Sequence, residues 1–466
     1  MKKAFAFFTS VLFTLQSFSQ EKAPLLTGKV KISIKEGTFD CDLTLSDIPR
    51  INNYFLRINS GMNMLNFKSK SPDEFLIYWD KSLYDTTSTG ESNAYYFPDN
   101  TRKGKFLPGN VQFKYVGKFP VVKDTIENYS KFDWKGNIAF NHNSVRADGR
   151  QAAWYPVLYD IELDKAYEKV RYDVEIICED CNTLYINGSI PVKSSSSRFK
   201  SETPQELSLF CGNYNFSNVD NTFILNPDIN ENQIKEFSNL INSYKKFYTG
   251  KLNIPFKQAI TFVQTTPTSP NNAWLFVSYP TIFNIGWGQY GLISLFDPKE
   301  QDWYRPFIAH ELGHYYFGEY KAFNSELGDM MSEGFAEFLS LQLTKEVIGK
   351  SLYEAKIKEK IKELEDFKAT PIGKIKSQSN YEDRELYVYY YAPIIFSAIE
   401  KEIGEKQMWK WLHTILETKA TFTNYEFLVS TLKSTLQNDK QFEMIKSQYL
   451  ENEKSLENAI NKISKK

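Results

Sequence analysis

The chain has 466 residues, which is enough for two or three domains of ordinary size. Hydrophobic residues make up 42% of it and charged residues 24%, proportions that are typical of a globular protein. The net charge of −1 gives no long-range field, so the composition argues against nucleic acid or an anionic membrane surface as a partner.

The N-terminal residues have the pattern of a signal peptide. A basic start, MKK, precedes the apolar stretch AFAFFTSVLFTLQ, and the small residues of SFSQ are spaced as at a signal-peptidase site. We therefore expect residues 1–19 to be removed, leaving an exported protein in the periplasm or outside the cell. The alternative is an N-terminal helix that is buried or anchors the chain, but the apolar stretch is shorter than the ~20 residues that a span requires. No later segment is long and apolar enough to predict a transmembrane helix.

Residues 20–225 are predicted to form an antiparallel β-sandwich. The segments KVKISIK, FDCDLTL, NYFLRIN and YDVEIIC place apolar residues at every second position, which is the period of a half-buried strand. Turn sequences such as EGT, NSG and LPGN separate them. The region also contains all the cysteines of the chain, Cys41, Cys178, Cys181 and Cys211. Their even number is compatible with one or two disulfides of undetermined connectivity or with buried thiols. Both of these states are favoured over a structural zinc site.

Residues 226–466 are predicted to form an α+β domain with a helical C-terminal part. Apolar residues at helical spacing follow Asp228, a suitable helix cap, and Gly250 is expected to end this helix. Three strand-like segments come next, QAITFVQ, AWLFVSY and YGLISLF, and the pattern from Asp302 onward is almost wholly helical. The segment KIKEKIKELEDF is predicted to be a charged helix with a solvated face.

The segment HELGHYYFG contains two of only four histidines in the chain. In a helix that begins near Asp302 and ends near Gly318, His310 and His314 lie one turn apart on the same face. Both ring nitrogens can then reach one metal ion. Zinc in a catalytic site needs at least a third protein ligand and keeps one position for water.

Glu333 is the candidate for the third ligand. Eighteen residues separate it from His314, which lets the chain finish one helix and return a carboxylate on a second helix that starts at Asn324 or Ser325. It lies among residues that should face the core, Phe335, Phe338 and Leu339. An unpaired carboxylate would be costly there, which favours a ligand over a surface glutamate. We therefore expect one Zn²⁺ per chain, held by His310, His314 and Glu333.

Glu311 follows His310 directly and points in a different direction. It is predicted to lie beside the open coordination position, where a carboxylate can take a proton from the attacking water and pass it to a leaving amine. A chain that only bound metal would not need this residue. The two remaining histidines, His142 and His413, have no ligand-like neighbours and are interpreted as structural.

The pair of segments HELGHYYFG and EGFAEF resembles the gluzincin zinc metallopeptidases of the membrane alanyl aminopeptidase family. Three further segments resemble parts of that family: AWYPVLYD a corner of its β domain, YGLISLF the strand along its substrate cleft, and LYVYYYAPIIFSAIEKEIG the stretch with its catalytic tyrosine. The resemblance covers roughly residues 25–430. It implies a saddle-like β domain, a thermolysin-like zinc peptidase domain and a peptide substrate.

The same resemblance implies that Tyr389 is the catalytic tyrosine. Its hydroxyl would donate a hydrogen bond to the oxygen of the scissile carbonyl as negative charge develops there. Tyr387, Tyr390 and Tyr391 are close enough that a shift in register would change the choice.

The chain departs from the family where a glutamate that binds the substrate's amino terminus is expected. The segment IGWGQYGLI places Gly288 at that position. Gln289 and Gln151 are neutral, so they could only hydrogen-bond an ammonium group, which is weaker than binding to a carboxylate. We therefore expect a weak preference for substrates with a free amino terminus.

These patterns together predict an exported zinc-dependent peptidase that is aminopeptidase-like but lacks the usual amino-terminus-binding glutamate. The alternatives are an endopeptidase or other amide hydrolase on the same scaffold, or a non-catalytic peptide-binding protein. The complete set of Glu311 and three ligands disfavours the last of these. The sequence leaves the oligomeric state open.

Overall fold

The computed structural model describes residues 23–69, 78–79, 92–101, 103–122, 138–257, 259–265, 274–285 and 291–465. The predicted signal peptide, residues 1–19, lies outside the described residues, as do Gly288 and Gln289. Within the described ranges, no helix combines the length and the apolar character that crossing a membrane requires.

The first half of the chain consists mainly of strands. They are β1 (Leu25–Ser33), β2 (Thr38–Ser46), β3 (Tyr54–Asn59), β4 (Met62–Ser69), β5 (Tyr78–Trp79), β6 (Ser92–Tyr96), β7 (Asn110–Lys118), β8 (Val121–Val122), β9 (Ile138–Asn141), β10 (Ser144–Ala147), β11 (Val157–Asp160), β12 (Lys165–Tyr167), β13 (Lys169–Cys178), β14 (Thr183–Ile186), β15 (Ser196–Glu206), β16 (Leu209–Gly212), β17 (Phe216–Val219) and β18 (Thr222–Leu225). One short helix, α1 (Gly149–Ala152), lies between β10 and β11.

Three sheets share one apolar core in this half. Their strand orders are β15-β13-β1-β2-β7-β4, β14-β16-β10-β9-β8 and β12-β11-β3-β6-β5. Most neighbouring strands are antiparallel, whereas β1 pairs with β13, and β8 with β9, in parallel. In β2 the alternate residues Phe39, Cys41, Leu43 and Leu45 are buried, which is the period of two that the sequence shows. The predicted β-rich N-terminal region is confirmed.

The cysteines adopt two of the states that the sequence left open. Cys178 and Cys181 form a disulfide at the end of β13. Cys41 and Cys211 are buried free thiols, and burial raises the pKa of both well above the ordinary value.

A fourth sheet joins the two halves of the chain. It adds β19 (Ile260–Thr265), β20 (Trp274–Ser278) and β21 (Thr281–Ile285) to the last two strands of the first half, in the order β17-β18-β19-β21-β20. The sheet therefore crosses the expected boundary at residue 225.

Helices form most of the second half. They are α2 (Glu231–Leu252), α3 (Gln301–Gly313), α4 (Gly328–Leu343), α5 (Lys350–Glu363), α6 (Ala392–Ile403), α7 (Glu405–Glu417), α8 (Tyr425–Leu436), α9 (Asp439–Ile445) and α10 (Ser455–Ser464). Short 3₁₀ turns (Leu292–Leu295, Ile372–Lys374, Gln378–Tyr381) and π-helical turns (Thr344–Ile348, Leu386–Tyr391, Lys446–Leu450) connect or extend them.

The predicted ends of α2 were wrong. Asn230, not Asp228, caps the helix, because its side chain accepts the backbone N–H of Gln233 while the Gln233 side chain accepts the backbone N–H of Asn230. Asp228 instead accepts hydrogen bonds from the backbone of Leu292 and Ile293. The helix continues past Gly250 to Leu252 and ends where Asn253 adopts a left-handed conformation.

The expectation of a strand in YGLISLF was also wrong. Leu292–Leu295 form a 3₁₀ turn, with the N–H of Ser294 bonded to the carbonyl of Gly291. This turn is held by Asp228, a contact that the alternation of apolar residues could not reveal.

Candidate active site

Two antiparallel helices, α3 and α4, carry the candidate metal ligands. The Ser340 hydroxyl donates to the carbonyl of Pro306, Gly313 faces Ala336, and the Ser332 hydroxyl donates to the carbonyl of Phe317, so the contacts run in opposite directions along the two segments. A Cβ on Gly313 would lie 3.2 Å from both the Cα and the carbonyl oxygen of Ala336. Glycine at this position therefore allows the two backbones to approach closely.

The ends of these helices differ from the prediction. Helix α3 ends at Gly313 rather than Gly318, and His314 occupies the capping position with helical dihedral angles. Helix α4 starts at Gly328, because Asn324 and Ser325 bond instead to Thr423. Both histidines nevertheless stay on one face, since His314 continues the helical path for one more residue.

His310, His314 and Glu333 come together as the sequence predicts. The Nε2 atoms of the two histidines are 3.1 Å apart, and Glu333 Oε2 lies 3.3 Å from His310 Nε2 and 3.2 Å from His314 Nε2. Tetrahedral zinc with bonds of about 2.0–2.1 Å would place its ligand atoms about 3.3 Å apart. The three side chains therefore fit a zinc ion, and they form a group of possible metal ligands within the described residues.

The second ring nitrogen of each histidine is also engaged. His310 Nδ1 lies 2.9 Å from Glu337 Oε2, and His314 Nδ1 lies 3.2 Å from the carbonyl oxygen of Phe317. Such contacts fix the ring orientation of metal-binding histidines. Glu337 was not predicted from the sequence, although it lies four residues after Glu333 and therefore on the same face of α4.

Electrostatics around these three side chains favour a bound cation. Burial alone would raise the pKa of Glu333, but His314 and His310 lower it well below its usual value. Burial likewise opposes charge on His310, yet Glu333 and Glu337 raise its pKa to about 10. A divalent cation in this position would replace the proton between these carboxylates.

Glu311 is buried on α3 next to the first histidine. Burial and the nearby carboxylates raise its pKa above the ordinary value of 4.5, against the opposing influence of His310 and His314. A raised pKa suits a carboxylate that exchanges protons near neutral pH. The backbone of Glu311 is fixed as well, because its carbonyl accepts a hydrogen bond of 2.5 Å from the Tyr279 hydroxyl.

Of the four candidate tyrosines, Tyr389 lies beside the histidines. Its ring centroid is 5.7 Å from that of His310, and the guanidinium of Arg384 lies 5.7 Å from the ring centroid. Burial raises the pKa of Tyr389 well above 10, so its hydroxyl keeps the proton it would donate. The Tyr387 hydroxyl instead bonds the carbonyl of Thr370.

The two remaining tyrosines have other partners. The Tyr391 hydroxyl bonds Ser455, away from the histidines. Tyr390 faces the same cavity as Tyr389, with the ammonium of Lys360 over its ring.

Arg384 is a further residue that the sequence analysis missed. Its guanidinium binds both carboxylate oxygens of Asp329, at 2.8 and 2.7 Å, and lies 3.5 Å from Glu333 Oε1. It also lies over the Tyr389 ring. One cation thus links the candidate third ligand to the candidate oxyanion donor.

A cavity of about 740 Å³ opens onto these side chains. Helix α3 contributes an apolar wall of Trp303, Pro306 and Phe307, and the N-terminal β region contributes Glu168, Lys169 and Glu206. The β region is held against the second half of the chain at two places. Lys169 Nζ lies 2.8 Å from Glu319 Oε2, and the Asn187 side chain donates to the carbonyl of Tyr279, between β20 and β21.

Position 288, the two glutamines and the two other histidines complete the set of residues that the sequence singled out. Gly288 and Gln289 lie outside the described residues, and Gln151 belongs to α1. His413 Nδ1 contacts the carbonyl of Leu252, and His142 contacts Asn143, which agrees with structural roles.

Comparison with known proteins shows similarity in fold. No model of a known protein family matches the chain, and no curated protein matches it in sequence. Yeast leukotriene A4 hydrolase, solved in complex with bestatin, aligns with a TM-score of 0.59 at 11% identity, covering 90% of this chain and 65% of that protein. This chain therefore spans less than two thirds of the yeast enzyme.

Two structures of an M1 zinc metallopeptidase from Deinococcus radiodurans are also similar. One aligns with a TM-score of 0.58 at 11% identity, covering 91% of this chain and 92% of the other. The second, a variant bound to a Tyr-Ser-Ala substrate, aligns with a TM-score of 0.56 at 10% identity over the same shares. The predicted fold, a β domain followed by a zinc-peptidase-like domain with a helical C-terminal part, is confirmed.

Proposed function

We propose that the protein is an exported zinc-dependent peptidase that hydrolyses peptide bonds with a metal-activated water. The observation that carries this proposal is the triangle of His310, His314 and Glu333 ligand atoms, with edges of 3.1 to 3.3 Å. Glu311 supports it, because its buried carboxylate is not one of the three candidate ligands and can serve as the base that takes a proton from water.

The roles of the residues follow from their positions. His310, His314 and Glu333 would hold one zinc ion, which when bound supplies a Lewis acid that lowers the pKa of water. Glu311 takes a proton from the attacking water and passes it to the leaving amine. Tyr389 donates its hydroxyl hydrogen bond to the carbonyl oxygen as negative charge develops there.

A peptide is the proposed substrate. The cavity of about 740 Å³ combines apolar side chains, such as Trp303 and Phe307, with polar ones, such as Glu168 and Lys169, which suits a peptide with mixed side chains. One structural neighbour was solved with a tripeptide substrate, which supports the same substrate class. Export rests on the N-terminal sequence pattern of residues 1–19.

The mode of cleavage is proposed to be aminopeptidase-like with weak selection for a free amino terminus. The glycine at position 288 supports this, because it cannot supply a carboxylate to an ammonium group. An endopeptidase or another amide hydrolase on the same scaffold is the second candidate, and the same glycine favours it. Free and N-acetylated peptides distinguish these modes.

The test is hydrolysis of a peptide panel by the mature protein, with and without a chelator, alongside Glu311→Gln. Glutamine fills the same space but cannot act as a base, so this variant should bind zinc normally and lose about 10²–10⁴-fold in rate. Turnover that survives the chelator, or that Glu311→Gln performs at the parent rate, would contradict the mechanism. Stoichiometric zinc without hydrolysis of any peptide would instead favour the non-catalytic alternative.

A further inference from the structure

Lys360 is a buried cation in a helix that the sequence predicts to be solvated. It belongs to α5, within the segment KIKEKIKELEDF, yet it is only 7% exposed. Its ammonium lies 2.6 Å from Glu337 Oε1 and donates to the carbonyl of Tyr389 at 2.8 Å. It also lies 4.7 Å from the ring centroid of Tyr390. A carboxylate, a backbone carbonyl and an aromatic ring therefore surround the ammonium.

The partners of Lys360 belong to two different parts of the candidate active site. The other carboxylate oxygen of Glu337 is 2.9 Å from His310 Nδ1, so Lys360 is connected to a candidate zinc ligand through one side chain. The carbonyl of Tyr389 belongs to the π-helical turn Leu386–Tyr391, which places the Tyr389 ring against His310. π-helical turns are often found at functional sites.

Stability alone is a poor explanation for this arrangement. Removing a charge from water is costly, and buried ion pairs are often no more stabilising than apolar side chains of similar size. A methionine could fill the volume of the Lys360 side chain without that cost. What an apolar side chain could not do is hold the Glu337 carboxylate and the Tyr389 backbone at one point.

We propose that Lys360 is a positioning residue that holds the His310 imidazole, through Glu337, and the Tyr389 hydroxyl in their working arrangement. This inference rests on the proposed function. It assigns Lys360 no contact with the reacting atoms. Its loss should let Glu337 rotate away from His310 and let the π-helical turn move relative to α4, which weakens zinc binding and slows catalysis.

Lys345 offers a matched control. Its ammonium lies 3.6 Å from Oε1 of the buried Glu400 and 5.8 Å from the ring centroid of Tyr353. Lys345→Met therefore removes a lysine from a buried glutamate and an aromatic ring, as Lys360→Met does, but it does so outside the cavity. Any general effect of removing a lysine from a buried glutamate should appear in both variants, because each glutamate keeps one other partner, Gln342 or His310.

The experiment measures zinc affinity by competition with a chromophoric chelator, and then kcat and KM at saturating zinc. Relative to the unaltered mature protein, Lys360→Met should bind zinc about 10- to 100-fold more weakly. It should also lose kcat, while KM changes much less. Lys360→Arg keeps a cation beside Glu337 and should recover most of the lost zinc affinity. Lys345→Met should match the parent protein in both measurements.

The proposal is overturned if Lys360→Met binds zinc as tightly as the parent protein, or if Lys345→Met loses as much zinc affinity. If Lys360→Met does not fold, Glu337→Gln decides, because it interrupts the same link at the carboxylate between Lys360 and His310. A folded Glu337→Gln variant with unchanged zinc affinity would contradict the link to His310. The zinc measurement needs no substrate. An unaltered protein that binds zinc but cleaves no peptide would therefore count against the proposed function and leave this test intact.

Discussion

Replacing Gly334 with alanine should displace the π-helical turn Leu386–Tyr391, which carries Tyr389, from helix α4, which carries Glu333. A Cβ at this position would lie 2.9 Å from the Cβ of Ala392, 3.3 Å from Cε2 of Phe396 and 3.4 Å from the carbonyl oxygen of Val388. Apolar carbon atoms prefer separations of about 3.5–4.0 Å. The contact with Ala392 is therefore too short by at least about 0.6 Å, and α6 must move away from α4 by a comparable distance.

The stability change combines two effects of opposite sign. Overpacking a buried contact costs about 1–3 kcal/mol. Alanine in place of glycine inside a helix stabilises it by about 0.8–1.0 kcal/mol. Gly334→Ala should therefore lower the free energy of unfolding by between zero and about 2 kcal/mol. The effect on kcat should be larger than this change in stability suggests, because a misplacement of about 1 Å can reduce a rate about 10²-fold.

Ala392→Gly supplies the matched test of this reasoning. In the double variant the Cβ at 2.9 Å is absent, and the contacts that remain are those of 3.3 and 3.4 Å. The two substitutions should therefore show a favourable coupling energy of about 0.5–3 kcal/mol in denaturant unfolding, with kcat largely restored. The idea that this glycine sets the distance between α4 and the π-helical turn Leu386–Tyr391 would be refuted by either of two results. One is that the losses in free energy of unfolding of the two single variants simply add in the double variant. The other is that Gly334→Ala leaves kcat and stability unchanged.

Glu333→Ala should abolish stoichiometric zinc in metal analysis, and full occupancy in that variant would exclude Glu333 as a ligand. The carboxylates beside His310 raise its pKa from 6.5 to about 10, so zinc must displace a proton from this side chain when it binds. The apparent zinc affinity should therefore rise by about tenfold per pH unit between pH 6.5 and 8. The same raised pKa stabilises the folded protein without zinc below pH 6.5, and this contribution should disappear as the pH rises toward 10. If neither the zinc affinity nor the stability of the zinc-free protein changes with pH in this way, the pKa of His310 is not raised. If position 288 provides no anchor, kcat/KM on matched free and N-acetylated peptides should agree within about tenfold, whereas a hundredfold preference for the free amine, about 2.7 kcal/mol, would reveal another anchor.

The spacing of residues along the chain was sufficient to predict the group of three candidate metal ligands. Two histidines four residues apart share a helix face whatever surrounds them, and the eighteen-residue interval to Glu333 needs only a turn between two helices. The alternation of apolar residues in segments such as β2 similarly predicted the β region, because burial of one sheet face requires that period. These are local properties, so the sequence by itself determined them.

Tertiary contacts decided the remaining features. The choice of Tyr389 among four neighbouring tyrosines depends on a π-helical turn, which departs from the regular helical period and therefore from any register read along the chain. The helix caps and the 3₁₀ turn at Leu292–Leu295 depended on which of several polar groups reached a given backbone N–H.

Lys360 shows most clearly what the sequence could not predict. Its segment has the charge pattern of a solvated helix, and burial followed only because α5 packs where Glu337 and the carbonyl of Tyr389 both need a donor. A charge pattern reports which side chains could face water, whereas the position of a distant carboxylate decides which one is buried. The sequence by itself thus determined the group of candidate metal ligands and the fold class. Only the packing of α4, α5 and the π-helical turn decided which side chains contact that group.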